Sequence, residues 1–413
     1  MSPREVDVLV VGAGPAGLAV AAALAAAGVG RVEVLERERE AGGVPRHCHH
    51  GGFGTWSRPL TGPRYARRAV DAAERAGAVV RTGVTVLDWA GPLALDTVGP
   101  RGRETVGAAV VVLATGVRER PRAARLVPGT RPAGVYTTGE LQQAVHLHGQ
   151  RIGHRAVVVG AEDVSYAAAG TVRAAGAEVV ALVTELPRAR TAPARALNAR
   201  LRHGIPLLTD ATVTELLGHG RLSAVRVRHR DGRTAELPCD TVVFTGDFVP
   251  DHELARRGGL ALDPGTRGPA VDGALRTVRP GVFAVGSLPH PSGSAATASR
   301  EGAYGAAAVL ETLAGAAWPR STVPLLVDPP LRWIAPNRIA PADDRPYALR
   351  TSALPRRPVL RLTQDGRLLH HETLRGAVPH RALTLTARWT HRVDPRGGPV
   401  RVSVVGTGPP ASR

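Results

Sequence analysis

Between Val8 and Gly17 the chain reads Val-Leu-Val-Val-Gly-Ala-Gly-Pro-Ala-Gly, and Glu36 closes a second apolar segment, Arg31-Val-Glu-Val-Leu-Glu, nineteen residues beyond the last glycine. Such a stretch allows few folds. An apolar run suited to a buried parallel strand leads into a turn where Gly12 permits the tight bend and Gly14 admits a pyrophosphate against the backbone. Gly17 then lets the following helix lie close on the strand. Phosphates meet the N-terminal amides of that helix. Glu36 stands where a second strand ends, so its carboxylate accepts from ribose hydroxyls; Ala16 and Arg37 flank these positions and join the candidate cofactor contacts. Strand, glycine turn, helix, strand and acid together predict a dinucleotide-binding unit.

Val8 to Val29 carries no charged residue and is long enough to span a bilayer. The fingerprint spacing of three glycines and a proline favours a buried strand and helix instead. No basic leader, cleavage site or stop-transfer pattern accompanies the run, so a cytoplasmic protein without a membrane span is expected. With 413 residues there is room for two or three domains. A net charge of +18 ordinarily points to nucleic acid or an anionic membrane. Here all 53 basic residues are arginine, they are scattered along the chain, and the aromatic content of 3% leaves little for base stacking. The charge is read as compositional bias, and nucleic-acid binding is not expected. Cys48 and Cys239 are too far apart for a CxxC pair and too few for a disulfide framework.

The same plan occurs twice. After the first fingerprint come a helix near Tyr65 to Ala76, short strands around Thr85 to Asp88, Leu93 to Thr97 and Glu104 to Val106, and a strand ending in Ala114-Thr115-Gly116. A second unit begins at Ala156-Val-Val-Val-Gly160. It runs through a helix near Tyr166 to Ala175, a strand at Glu178 to Thr184 and three short strands between Thr212 and Leu237, and closes on Thr241-Val-Val-Phe-Thr-Gly246. A repeat of this length and order predicts two α/β domains, the second inserted within the first.

The first fingerprint, Ala114-Thr115-Gly116, Thr245-Gly246 and Pro280-Gly-Val-Phe-Ala-Val-Gly286 resemble the flavoproteins with two dinucleotide-binding domains, the disulfide-reductase-like superfamily. The resemblance covers roughly residues 5 to 315. It implies a Rossmann-like FAD domain (1–120 and 247–319) holding an inserted Rossmann-like NAD(P)-binding domain (121–246), and it places Gly286 beside the FAD ribityl and pyrophosphate. Gly42-Gly43-Val-Pro-Arg-His-Cys48, Leu60-Thr-Gly-Pro-Arg-Tyr-Ala-Arg, Ala114-Thr-Gly-Val-Arg-Glu-Arg-Pro121 and Val159-Gly-Ala-Glu-Asp-Val-Ser165 are similar to FAD-bearing subunits of opine, hydroxyproline and sarcosine oxidizing enzymes. Such subunits act on small amino or hydroxy compounds, often beside partner polypeptides. Gly43 joins the expected FAD contacts on this basis.

Departures from the superfamily bear on mechanism. Its redox cysteine pair is missing, since Cys48 stands alone. Ser287 replaces the usual aspartate after Gly286, with a hydroxyl still able to bond a ribityl oxygen. The second fingerprint, Gly160-Ala-Glu162-Asp-Val-Ser165, keeps only its first glycine and sets a carboxylate where a pyrophosphate approaches. Two like charges about 4 Å apart at an effective dielectric near 20 repel by roughly 4 kcal/mol, up to about three decades of affinity. Glu162 turned outward, or capping the helix, escapes that penalty. NAD(P)H use therefore stays open, with Ser165 expected to loosen the helix on its strand.

Arg46-His47-Cys48-His49-His50 falls in the stretch that the resemblance runs along the flavin. Three readings stay open: a thiol stabilised as thiolate by the neighbouring Arg and His groups, a zinc site, or a small residue packed beside the flavin. His290, soon after Gly286, is a candidate base or substrate-positioning group. Cys48 and His290 are thus the candidate catalytic residues, and no metal site is assigned. Residues 320–413 carry short alternating stretches, among them Val359-Leu-Arg-Leu and Val400-Arg-Val-Ser-Val-Val, and predict a small β-rich domain. The expected activity is FAD-dependent hydride removal from a small amine, amino acid or hydroxy compound, with a partner subunit or electron-acceptor protein. An NAD(P)H-dependent flavin reductase and a non-catalytic flavin-binding relay subunit are the alternatives.

Overall fold

A computed structural model of the protein describes residues 4–55, 57–291, 293–340, 343–352, 358–374 and 382–406. The chain forms two compact units: 1–43, 64–117 and 249–413 in one, 44–63 and 118–248 in the other. The segment 44–63 groups with the second unit, whereas the sequence division keeps 1–120 together. Among the described residues no helix is long and apolar enough to cross a membrane.

In the first unit a sheet runs in the order Val79–Thr82, Val32–Glu36, Arg4–Val11 and Gly102–Leu113. Val8, Leu9 and Val10 are fully buried, as a strand covered on both faces requires. The separate strands expected around Glu104 to Val106 and from Val110 are one twelve-residue strand, Gly102–Leu113. Its first half pairs antiparallel with Ala94–Gly99, and its last three residues pair parallel with Val282–Ala284. Two neighbours along the same edge need one long strand. Likewise the helix expected over Tyr65 to Ala76 spans Gly62–Arg75.

The helix Pro15–Ala26 packs on the helix Ala295–Leu313 through small residues. A Cβ on Gly302 would collide with the backbone carbonyl of Ala16, and one on Gly286 would lie 2.5 Å from the Ala16 Cβ. Residues 320–413 add a five-stranded and a three-stranded sheet, including Val359–Gln364, Arg367–Thr373, Leu383–Leu385 and Val400–Val405, around buried Leu362, Tyr347, Trp389 and Val402. The β-rich expectation holds there.

The second unit repeats the parallel core. Its five-stranded sheet is ordered Val135–Thr137, Thr241–Phe244, Arg155–Val159, Glu178–Val183 and Leu207–Leu208, with a separate antiparallel meander over Ala211–Leu217, Ala224–His229 and Thr234–Pro238. The helix Thr138–His146 lies outside the sequence expectations. Its signal is Thr137 followed by Glu140, a capping box in which Glu140 Oε2 accepts the Thr137 N–H at 2.7 Å.

These packings give opposite expectations for two helical glycines. Gly302→Ala should lower stability by about 1–3 kcal/mol through overpacking against Ala16. Gly170 lies within the helix Asp163–Ala174, and a Cβ there would meet nothing within 4 Å, so Gly170→Ala should raise stability by about 0.5–1 kcal/mol. Urea unfolding of the two variants checks both signs.

Candidate cofactor and nucleotide sites

At the carboxyl end of the first sheet, Val11 pairs with Leu113, so Gly12 and Ala114 leave neighbouring strands side by side. The chain continues from Arg4–Val11 toward one side of the sheet while Gly102–Leu113 lies on the other, which makes this a topological switch point. Gly12 has φ +105°, and a Cβ there would meet the Ala114 carbonyl at 2.6 Å. A Cβ on Gly17 would collide with the Gly12 carbonyl. Gly14 differs: a Cβ there meets nothing within 4 Å. That open space lies at the start of the helix Pro15–Ala26, whose Gly14 N-cap supplies no side-chain hydrogen bond. An uncapped helix end beside an open glycine is a cradle for a diphosphate.

The other expected contacts surround this cradle. Gly42 donates its N–H to Ala13 O at 2.9 Å, and a Cβ on Gly43 would lie 2.8 Å from Gly14 Cα. Glu36, 8% exposed, accepts the Ala13 N–H on Oε2 and the Glu38 N–H on Oε1, both at 3.0 Å. These bonds fix the carboxylate and leave each oxygen a second lone pair for ribose hydroxyls. Arg37 lies out toward solvent with Glu38 and Asp251 at 3.9 and 3.6 Å. Thr115 Oγ1 donates to Asp251 O at 2.7 Å, and Ser287 Oγ would be 3.7 Å from a Cβ on Gly116. The first-unit residues therefore fit the FAD expected of them.

The second unit holds the same geometry with different chemistry. Val159 pairs with Phe244, which sets Gly160 beside Thr245 as Gly12 is set beside Ala114. Ser165, fully buried at the third glycine position, accepts the Glu162 N–H at 3.1 Å and lies 2.6 Å from Thr245 Oγ1, which donates to Val159 O at 2.8 Å. The expected loosening is therefore corrected: the Ser165 hydroxyl ties the helix to both strand ends. Glu162 is the N-cap residue of Asp163–Ala174, and its Oε1 lies 3.6 Å from Arg190 Nη1. Its Oε2 would lie 3.3 Å from a Cβ on Gly246. A carboxylate thus stands inside the crevice mouth.

Sequence reasoning missed two groups that clamp this mouth. Glu119 accepts the N–H of Gly246 at 2.8 Å and of Gly139 at 3.0 Å, and burial raises its carboxyl above the usual range despite those bonds. Arg125 Nη2 donates to the carbonyls of Thr245 and Gly246 at 3.2 and 2.7 Å. Neither has a local sequence signal, because each acts on residues more than 100 positions away or on a separate helix end.

Cys48 lies in the second unit, 7% exposed, with its sulfur 3.3 Å from Gln142 Oε1 and 3.4 Å from Val44 O. Burial, with the Glu119 carboxylate, pushes the thiol up to about 12. Of the three open readings, the thiolate stabilised by Arg46 and the histidines is disfavoured, since two oxygen acceptors and a nearby acid favour the protonated form. Among the described residues no group of three or more His, Cys, Asp or Glu side chains is arranged to hold a metal ion. His290, in the first unit, is 7% exposed, and its Nε2 lies 3.2 Å from Glu301 Oε2.

Two switch-point crevices on Rossmann-like sheets define a protein with two dinucleotide-type folds. The sequence profile of the pyridine nucleotide-disulphide oxidoreductase family matches residues 6–302, and the chain belongs to that family. It is an FAD-dependent oxidoreductase. The chain is 28% identical over 298 residues to a ferredoxin–NADP reductase of Ignicoccus hospitalis, covering 68% of this chain and 90% of that one. It is also 28% identical over 277 residues to sarcosine oxidase subunit alpha of Rhizobium meliloti, covering 61% of this chain and 25% of that subunit. The chain thus spans only about a quarter of the oxidase subunit. T. acidophilum thioredoxin reductase shares the fold, with a TM-score of 0.64 and 24% identity over 75% of this chain and 99% of that one.

His47 gives this region a pH dependence. Burial first, then Arg46, His146 and His49, lower its imidazole from 6.5 to about 4, so the folded chain takes up the proton later than the unfolded chain. Its stabilising contribution is complete above about pH 6.5 and is lost as pH falls toward 4, about 3 kcal/mol in all. His146, lowered by burial and by His49 and His50, acts in the same direction. Denaturant unfolding at pH 7.5 and 4.5 should show a smaller acid loss in His47→Phe than in wild type.

Proposed function

We propose that the protein oxidises a small amine, amino acid or hydroxy compound, with FAD as hydride acceptor, and that NAD(P)H is not its electron donor. The observation that carries this reading is Glu162, whose carboxylate is held in the second crevice between Arg190 and Gly246. A dinucleotide pyrophosphate brought there meets a fixed negative charge where the family's glycine admits backbone contact. Arg190 softens the repulsion without clearing the space.

In the first unit, Gly12, Gly14 and Gly17 would give the cofactor its close backbone approach, with the Ala16 and Gly17 amides facing the diphosphate and Glu36 the ribose. Gly43, Ala114, Thr115, Gly116, Gly286 and Ser287 would line the rest of its path. When bound, FAD supplies the two-electron chemistry. The chain's own residues then orient it and exclude water from it. The matched oxidase subunit's name supports a small amino compound as substrate and further subunits as partners. A partner subunit or acceptor protein receives the electrons. A lone protonated Cys48 thiol leaves no dithiol route.

The purified protein should be yellow, with one FAD per chain released on denaturation. Gly14→Glu should fold, since its Cβ has open space, yet lose FAD to bulk and charge in the cradle. Absorbance of the released flavin measures both; a folded wild type that takes up no FAD from excess cofactor refutes the assignment. Anaerobic stopped-flow mixing should show slow, non-saturating flavin reduction by NADH and NADPH. Glu162→Gly should strengthen that reduction by about ten-fold or more. Fast, tight reduction of the wild type, weakened by Glu162→Gly, would establish the altered loop as a working nucleotide site.

A further inference from the structure

Gly286 and, within the helix Ala295–Leu313, Gly302 both pack against Ala16 of the first fingerprint helix. Between these points His290 is buried against the carboxylate of Glu301, the residue immediately before Gly302. Glu301 is itself only 5% exposed. A carboxylate so buried requires compensating cations.

One of these cations comes from the C-terminal β-rich region, outside the matched family segment 6–302. Arg345 Nη2 donates to Glu301 Oε1 at 2.6 Å, and its guanidinium lies over the Tyr304 ring at 4.7 Å. Burial alone would push Glu301 up; His290 and then Arg345 outweigh it and hold its carboxyl below the usual range. The β-rich region is fixed to the same part of the unit by side-chain oxygens that accept from backbone N–H groups. Asn337 Oδ1 accepts the Val271 N–H at 2.8 Å, and Asp343 Oδ2 accepts the Gly273 N–H at 2.9 Å. Gly265 and Gly273 leave room for this docking: a Cβ would meet Arg332 O or Asp343 Cγ, each at 2.6 Å.

We infer that Arg345 is a positioning residue for FAD: through Glu301 and His290 the C-terminal region holds the Gly286–His290 segment in its cofactor-binding shape. The inference rests on the assignment of Gly286 and Ser287 to the FAD site. A buried Glu301 deprived of Arg345 keeps a single charge partner, so taking a proton or moving toward water changes its contact with His290 and with it the set of the segment. The C-terminal region thus works as a fixed brace on the flavin motif.

The test is FAD affinity and the visible circular dichroism of bound flavin in the full chain, comparing wild type with Arg345→Gln, Arg345→Lys and the double variant Arg345→Gln/Glu301→Gln. Arg361→Gln, an exposed change in the same β-rich region, is the control. Arg345→Gln should weaken FAD binding at least ten-fold, about 1.4 kcal/mol, and change the flavin dichroism. Arg345→Lys should restore most of the affinity. The double variant, which leaves no unpaired buried carboxylate, should bind FAD more tightly than Arg345→Gln alone. Wild-type affinity and dichroism in Arg345→Gln overturn the inference. If that variant does not fold, the double variant decides: wild-type FAD affinity and dichroism in that folded protein, which lacks both members of the bridge, overturn it. Failure of wild type to bind FAD instead overturns the FAD assignment itself, so the two failures are distinct.

Discussion

The first unit depends on the absence of side chains along one line of contact. Gly17 rests on the Gly12 carbonyl, and Ala16 is held between Gly286 and Gly302. At these points the strand turn, the fingerprint helix and the helix Ala295–Leu313 meet backbone to backbone. That closeness brings the Ala114-Thr115-Gly116 and Gly286-Ser287 turns to the same end of the sheet as Gly14. A methyl group at Gly17 or Gly302 would separate the layers, and the open space at Gly14 would lose its walls.

The second unit shows how a fingerprint can be lost while its architecture is kept. Val159 and Phe244 reproduce the register of Val11 and Leu113. Ser165 replaces the third glycine with a hydroxyl whose bonds reach Glu162 N and Thr245 Oγ1. Close packing by glycine has become a buried polar network, fully satisfied and therefore compatible with a stable core. The middle glycine has no such substitute, because its task in the family is to admit a ligand and not to hold two elements together.

Arginine does more structural work than its scatter along the sequence suggests. Arg125 reaches the carbonyls of Arg120, Thr245 and Gly246, and Arg122 reaches those of Val127 and Gly129. Arg4 and Arg81 close on Glu33, which is 1% exposed. A planar five-donor group suits both uses, since it satisfies several acceptors at once and stays charged when partly buried.

The sequence by itself determined the two parallel sheets, the glycine turns, Glu36 at its strand end and the β-rich C-terminal region. Each is written in local spacing, and local spacing follows from backbone geometry. It misjudged the long strand Gly102–Leu113, because only pairing with two successive neighbours requires that length. It left three readings of Cys48 open, because the acceptors that keep the proton on its sulfur, Gln142 and Val44, are set by packing. Glu119, Arg125 and the Arg345–Glu301–His290 group were illegible for a related reason. Arg345 meets Glu301 across 44 residues, and Glu119 and Arg125 reach Gly246 across 127 and 121, so only the folded chain brings these groups together.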